Sequence, residues 1–240
     1  MLDNTKIEDI LFIDIETVPF VSDFDSLDDV MKALWEKKSN HFRAEGQSAS
    51  EVYERAGIYA EFGKIICISV GLIVEKNPWS FRLKSFYGDD EKTILEDFSA
   101  MLSKFAKPPK EALMCAHNGK EFDYPYIARR MIINRLKIPD LLDNAGKKPW
   151  EVKLLDTMEL WKFGDYKSYT SLELLTSILG IPTPKDDIDG SMVAGIYYGE
   201  KDIERIAKYC EKDVVAVAQT FLRFMNKPLI EPDKIESVTF

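Results

Sequence analysis

The chain runs to 240 residues, 45% of them hydrophobic and 30% charged, with a formal net charge of −9 at pH 7. That length carries one substantial core, so a single domain over residues 1–240 is expected, and the excess of acid argues against a protein that clings to long nucleic acid through a broad basic surface. The longest apolar runs, such as Ile65 to Val74, are too short to cross a bilayer, and the start Met1-Leu2-Asp3-Asn4-Thr5-Lys6 has no cationic-then-apolar leader, which makes the cytoplasm the expected compartment.

Ile10 to Ile15 reads as a first strand, and it leads into Phe12-Ile13-Asp14-Ile15-Glu16-Thr17. Side chains i and i+2 of a strand project from one face, so Asp14 and Glu16 stand side by side among neighbours that are to be buried. Like charges that close are costly, and a bound divalent cation is their commonest compensation. An insertion over residues 20–63 follows, with two amphipathic helices expected at Leu27 to Lys38 and Ala49 to Ala56 and an exposed loop from Lys37 to Ser50. It leaves directly after the acidic strand, so it serves either as a wall of a cleft or as plain packing. Ile65 to Val74 and Trp79 to Tyr87 read as strands joined by a turn at Lys76-Asn77-Pro78, and the apolar spacing of Glu91 to Phe105 predicts a helix.

Ala112 to Ala116 supplies a further strand. After it, His117-Asn118-Gly119-Lys120-Glu121-Phe122-Asp123 brings Asp123 to the start of a helix predicted to reach Leu136. His117 is read as a structural side chain at the strand end. Lys153-Leu154-Leu155 is expected as a short strand with Asp156 capping the helix beyond it. The C-terminal half is then mostly helical, over Ser171 to Leu179, Ser191 to Tyr198 and Asp202 to Phe224. In the last helix Tyr209 and Asp213 lie i,i+4 on one face. Tyr198 and Asp202 share that spacing, but Gly199 marks a helix stop between them. Asp23 with Asp25, and Asp187 with Asp189, sit in turn-rich sequence and read as capping or solvated acids. Cys67, Cys115 and Cys210 lack metal-ligand spacing and read as reduced core residues. Arg129, Arg130, Arg135, Lys137, Lys147, Lys148 and Lys153, between Lys120 and Lys167, form a more basic stretch that is either a phosphate-contacting flank or a solvated surface.

An Asp-x-Glu strand, then Asn-x-x-x-Phe-Asp, then Tyr-x-x-x-Asp resembles the three ordered motifs of the DEDDy 3′-5′ exonucleases, and in particular the proofreading exonuclease domain of family B DNA polymerases, here without a polymerase. The resemblance covers about residue 10 to residue 225. It implies an α/β, ribonuclease H-like fold, with a mixed central sheet flanked by helices and a helical C-terminal half. It also implies a hydrolase of terminal phosphodiester bonds that uses two ions, Mg²⁺ or Mn²⁺, held by Asp14, Glu16, Asp123 and Asp213. Such hard cations suit oxygen ligands, and with only His41 and His117 in the chain a histidine-based zinc hydrolase is excluded. By the same resemblance Tyr209 directs the attacking water, and Thr17, Asn118 and Phe122 contact the terminal nucleotide, although Thr17 also fits a turn cap and Phe122 a core position. The implied partner is a nucleic-acid 3′ end, single-stranded or frayed DNA before RNA, released as nucleoside 5′-monophosphates. No membrane partner is expected. A protein that delivers the strand end, an exoribonuclease acting on RNA, and a non-catalytic nucleic-acid-binding module all stay open.

Overall fold

The computed structural model describes residues 5–76, 79–108, 111–152, 154–165, 169–182 and 188–240. Asn77 and Pro78 of the expected turn, together with Lys153, Lys167 and Asp187, lie outside the described residues. Strand β1 (Ile10–Pro19) is longer than its apolar run indicates, and β2 (Gly63–Lys76) and β3 (Trp79–Tyr87) fold back from it in turn as antiparallel neighbours. On its other side β1 pairs in parallel with β4 (Leu113–Ala116), which pairs in parallel with β5 (Leu154–Asp156). A short β6 (Ile235–Ser237) adds in parallel to β3, giving the order β5-β4-β1-β2-β3-β6. This mixed sheet with helices on both faces is the ribonuclease H-like α/β architecture.

The alternation of β1 divides the core. Leu11, Ile13 and Ile15 face α2 (Glu91–Phe105) and α3 (Asp123–Ile133), meeting Leu95, Phe98, Ile127 and Met131. Ile10 and Phe12 belong to the opposite core with Phe81, Val214, Val217 and Phe221, beneath the long α7 (Ile203–Phe224). Both faces are covered, which is why the strand reads as an almost unbroken apolar run. Gly71, opposite Phe12 in β2, allows the close fit: a Cβ there would stand 2.3 Å from the Phe81 ring and 3.0 Å from Val214.

In the insertion, α1 (Asp29–Ser39) is capped by Asp28 and places the fully buried Trp35 at the centre of Phe42, Tyr53, Tyr59 and Phe62, with ring centroids 5.2–6.0 Å away. The helix expected at Ala49 to Ala56 is instead a turn followed by a 3₁₀ helix at Tyr53–Ile58. The reason is tertiary: the Trp35 indole, 14 residues away, donates to the Ala49 carbonyl at 2.9 Å and ties the start of this segment to α1. The helix expected at Ser191 to Tyr198 is α6 (Val193–Gly195), which continues as a π-helix over Ile196–Glu200. The described residues also include the short helices α4 (Thr157–Lys162) and α5 (Leu172–Ile178). Among the described residues no helix is long and apolar enough to cross a membrane.

One buried ion pair ties these layers together. Arg130 of α3 donates to both oxygens of Glu91, at 2.8 and 2.5 Å, and to the Ala60 carbonyl at 2.9 Å. Glu91 also accepts from Ile65 N–H at 2.7 Å and from Asn134 at 2.8 Å. Both side chains are more than nine-tenths buried, so removal of one strands the other's charge. Arg130→Met is expected to lower unfolding stability in urea by about 3–5 kcal/mol. The double variant Arg130→Met/Glu91→Met is expected to recover part of that loss; equal stability of wild type and the single variant would disprove the coupling.

Candidate active site

Pairing between β1 and β4 ends at Phe12 opposite Cys115, so among the described residues the rest of β1 has no sheet neighbour on that side. Asp14 and Glu16 lie on this free stretch, opposite Ser69 and Cys67 of β2, and a bulge after Glu16 turns the strand at Thr17. Asp123 is the first residue of α3 and α7 crosses the same stretch with Asp213, so four carboxylates from three elements converge. Burial raises the Asp14 and Glu16 carboxyls well above their ordinary range, and the negative charges of Asp213 and Asp123 raise both further. Asp123 is raised to about 7, first by burial and then by Asp156 and Asp213, against the pull of the Ile15 N–H and its own.

Tyr209 hydrogen-bonds Asp213, and burial followed by Asp213, Glu16 and Asp14 drives its phenol far above the usual value. The competing Tyr198 and Asp202 are kept apart by Lys201 in the left-handed region; Tyr198 donates to Pro19 O at 2.6 Å while Asp202 caps α7. Asp23 caps the 3₁₀ turn at Phe24–Ser26 by accepting from Ser26, and Asp189 closes a turn by accepting from Ser191.

Asn118 adopts a left-handed φ of 61°, and its Oδ1 is buried without a hydrogen-bond partner. Asp156 holds this loop: its carboxylate accepts from the backbone N–H of Asn118 and Lys120, each at 3.0 Å, as well as from Met158 and Glu159 at the start of α4. The expected cap is therefore also a loop anchor. Gly119 is required there, because a Cβ would meet the Ala116 Cβ at 2.4 Å. His117 is structural, with Nδ1 2.9 Å from the Thr157 hydroxyl and Nε2 2.9 Å from the Thr170 carbonyl. Phe122 is half-buried against the core with its ring 5.3 Å from Tyr126, and Thr17 shares a hydrogen bond with the Tyr126 hydroxyl. In the basic stretch Arg130 is committed to Glu91 and Lys120 pairs with Glu159, whereas Arg129, Arg135, Lys137, Lys147 and Lys148 are exposed.

All three cysteines are free and buried, and Cys210 does more than fill space. Its thiol donates to Asp14 Oδ2 at 3.3 Å and Asp14 O at 3.4 Å. Tyr169, not singled out by sequence, is 66% exposed beside the site, its phenol raised by burial, Asp123 and Asp156. In sequence nothing sets it apart from Tyr166 three residues earlier.

The donor set fits a divalent cation. Asp14, Glu16 and Cys210 offer ligand atoms within 4.8 Å of one another, and Asp123 Oδ1 is buried and unpartnered. Carboxylate oxygens of this kind suit Mg²⁺ or Mn²⁺.

A sign follows for stability. Below about pH 4 the folded and unfolded chains both hold these protons. Between there and the raised folded values the native state binds more protons, so stability falls as pH rises. In chelator, Tm is expected to drop between pH 5.5 and 8, and Mn²⁺ to raise it more at pH 8 than at pH 5.5. Scanning calorimetry that showed equal Mn²⁺ stabilisation at both pH values would count against coupled proton and cation binding.

Residues 58–233 match a family described as predicted 3′-5′ exonucleases related to the exonuclease domain of PolB. The matched span holds Asp123, Tyr209 and Asp213 and begins after β1, so the place of Asp14 and Glu16 rests on the geometry above. Among solved structures, the family B DNA polymerase from the hyperthermophilic archaeon Pyrobaculum calidifontis is similar over 90% of this chain, with a TM-score of 0.53 and 13% identity, a likeness of fold. The chain spans about a quarter of that polymerase, 24% of its length. No curated protein matches the sequence. With most of its length matched, from the insertion through α7, the chain belongs to the family of predicted 3′-5′ exonucleases related to the exonuclease domain of PolB.

Proposed function

We propose that the protein is a metal-dependent 3′-5′ exonuclease that hydrolyses the terminal phosphodiester bonds of single-stranded or frayed DNA to nucleoside 5′-monophosphates. The observation that carries this reading is the convergence of Asp14, Glu16, Asp123 and Asp213, where the charge of Asp213 adds to the burial of the other three carboxyls. These four residues would hold two divalent ions, Mg²⁺ or Mn²⁺. When bound, such ions supply charge neutralisation at the phosphoryl oxygens and acidification of water.

The chain's own residues supply position. Tyr209 gives its proton to Asp213, which leaves its lone pairs to accept a hydrogen bond from water and aim it at phosphorus. With its phenol raised so far, it stays protonated at neutral pH and orients rather than deprotonates. Asn118 Oδ1, held in place by the strained loop turn and by Asp156, is an acceptor for a sugar hydroxyl of the terminal nucleotide. Thr17 and Phe122 border the same space, and their contacts with Tyr126 make them supports for its shape. Exposed Arg129, Lys147 and Lys148 offer charge to the strand behind its end, which suits a grip on a few nucleotides.

A paired assay of 5′-labelled DNA and RNA oligonucleotides, with Mg²⁺ or Mn²⁺, tests this. Asp14→Asn and Asp213→Asn are expected to lower kcat by more than about a hundredfold, beyond the effect of losing an outer partner. Tyr209→Phe is expected to cost roughly a hundredfold through misdirected water, with KM little changed. DNA is expected to shorten stepwise from its 3′ end; faster shortening of RNA would move the assignment to an exoribonuclease. Retention of the oligonucleotide without shortening would replace catalysis by a binding module.

A further inference from the structure

Glu211 sits on α7 between Tyr209 and Asp213, but its carboxylate reaches into the sheet and is only 6% exposed. Its Oε1 accepts three hydroxyls, from Ser85 at 2.9 Å, Ser237 at 3.0 Å and Thr239 at 2.7 Å. The Thr239 hydroxyl oxygen also accepts the Ser85 N–H at 2.7 Å, and the Thr239 N–H donates to Ser237 Oγ at 3.1 Å. Among the described residues no cation pairs with Glu211. Burying an unpaired carboxylate is far more costly than burying a leucine, so the donors must be held firmly for the arrangement to persist.

The bonds extend beneath the site in one direction. Because Ser85 gives its proton to Glu211, Ser69 must donate to Ser85 across 2.7 Å, and the Cys67 thiol, 3.5 Å from Ser69, is left to donate to Ser69. Ser69 is the cross-strand partner of Asp14, and Cys67 that of Glu16. Glu211 thus orders the side chains directly beside both carboxylates of β1, while anchoring the helix that carries Asp213 and Tyr209.

We propose that Glu211 is a positioning residue of the site, with Ser237 and Thr239 as its clasp: together they fix the depth and rotation of α7 on the sheet, and hence the spacing of Asp213 and Tyr209 from Asp14 and Glu16. The inference rests on the exonuclease reading above. Apolar contact is non-directional, and the turn of α7 nearest the acids meets the sheet through the small Ala207 and Cys210 against Cys67. Of the large apolar anchors, Ile206 packs on Val18 and Ile66 before Tyr209, and Val214, Val217 and Phe221 follow Asp213, so the stretch between is left to Cys210 and Glu211. Short charge-assisted hydrogen bonds are directional, so Glu211 supplies the alignment that this turn otherwise lacks. Small displacements matter because cation coordination and in-line attack both tolerate little error.

Two variants of the full chain, Glu211→Gln and the milder Ser237→Ala/Thr239→Val, test the idea by Mn²⁺ titration followed by electron paramagnetic resonance and by oligonucleotide kinetics. Each is expected to weaken Mn²⁺ binding by about tenfold or more, and to lower kcat by a similar factor while KM stays within about threefold. Circular dichroism melts establish that both remain folded at the assay temperature. A lower Tm with unchanged Mn²⁺ affinity and unchanged kcat would overturn the proposal, since Glu211 would then be packing alone. Should the wild type bind Mn²⁺ but shorten no oligonucleotide, the exonuclease reading fails, and the Mn²⁺ titration still decides whether Glu211 positions the acids.

Discussion

Like charge held close and out of water is the constraint on which the structure turns. Asp14, Glu16 and Asp123 each carry burial and the repulsion of Asp213 in addition, and these terms all disfavour the ionised state that a cation site needs. Left to itself, such a group of side chains would relax by swinging apart. The surrounding fold prevents that: β1 is fixed along both edges as far as Phe12, α7 lies across it, and the start of α3 is held by the loop that Asp156 anchors. The acids are kept side by side, so their repulsion is relieved by proton uptake or by a cation bound among them.

The means of holding them differ by element. On α7 the anchor downstream of Asp213 is a dense apolar stripe that fits because Gly71 leaves no Cβ in its path. On the 117–123 loop the anchor is polar, with His117 tied to Thr157 and Thr170 and four backbone N–H groups gathered on one Asp156 carboxylate. Apolar packing resists separation, whereas hydrogen bonds resist rotation. A site built from a strand, a helix start and a helix middle uses both.

Much of this was legible in the chain itself where a physical period exposes it. The i,i+2 acids of β1, the i,i+4 pair on α7 and the apolar runs of the central strands each follow from strand or helix geometry, and the structure brings them together as that geometry requires. Three features escaped for definite reasons. The strand β6 is only 3 residues long, too short for any period to declare itself. The Ala49–Ala56 segment carries an amphipathic pattern, but a tertiary hydrogen bond from Trp35 outweighs it. Glu211 reads as an ordinary charged position in a helix, because its three hydroxyl donors come from residues 126, 26 and 28 positions away. Long-range partners of a buried acid leave no local trace in sequence.

The net charge of −9 then has a physical place beside the nuclease reading. A phosphodiester approaching four carboxylates in a region of low dielectric meets strong repulsion, so the strand end cannot settle there ahead of the neutralising charge. Exposed Arg129, Arg135, Lys137, Lys147 and Lys148 provide only a local patch, and Arg130, the most buried of the basic residues named in that stretch, is spent on Glu91. On the proposed reading, attraction for nucleic acid is confined to the cation-loaded site rather than spread over the surface. That arrangement favours a chain terminus, whose few phosphates suffice for binding, over the interior of a long strand, which offers many phosphates to a protein that mostly repels them.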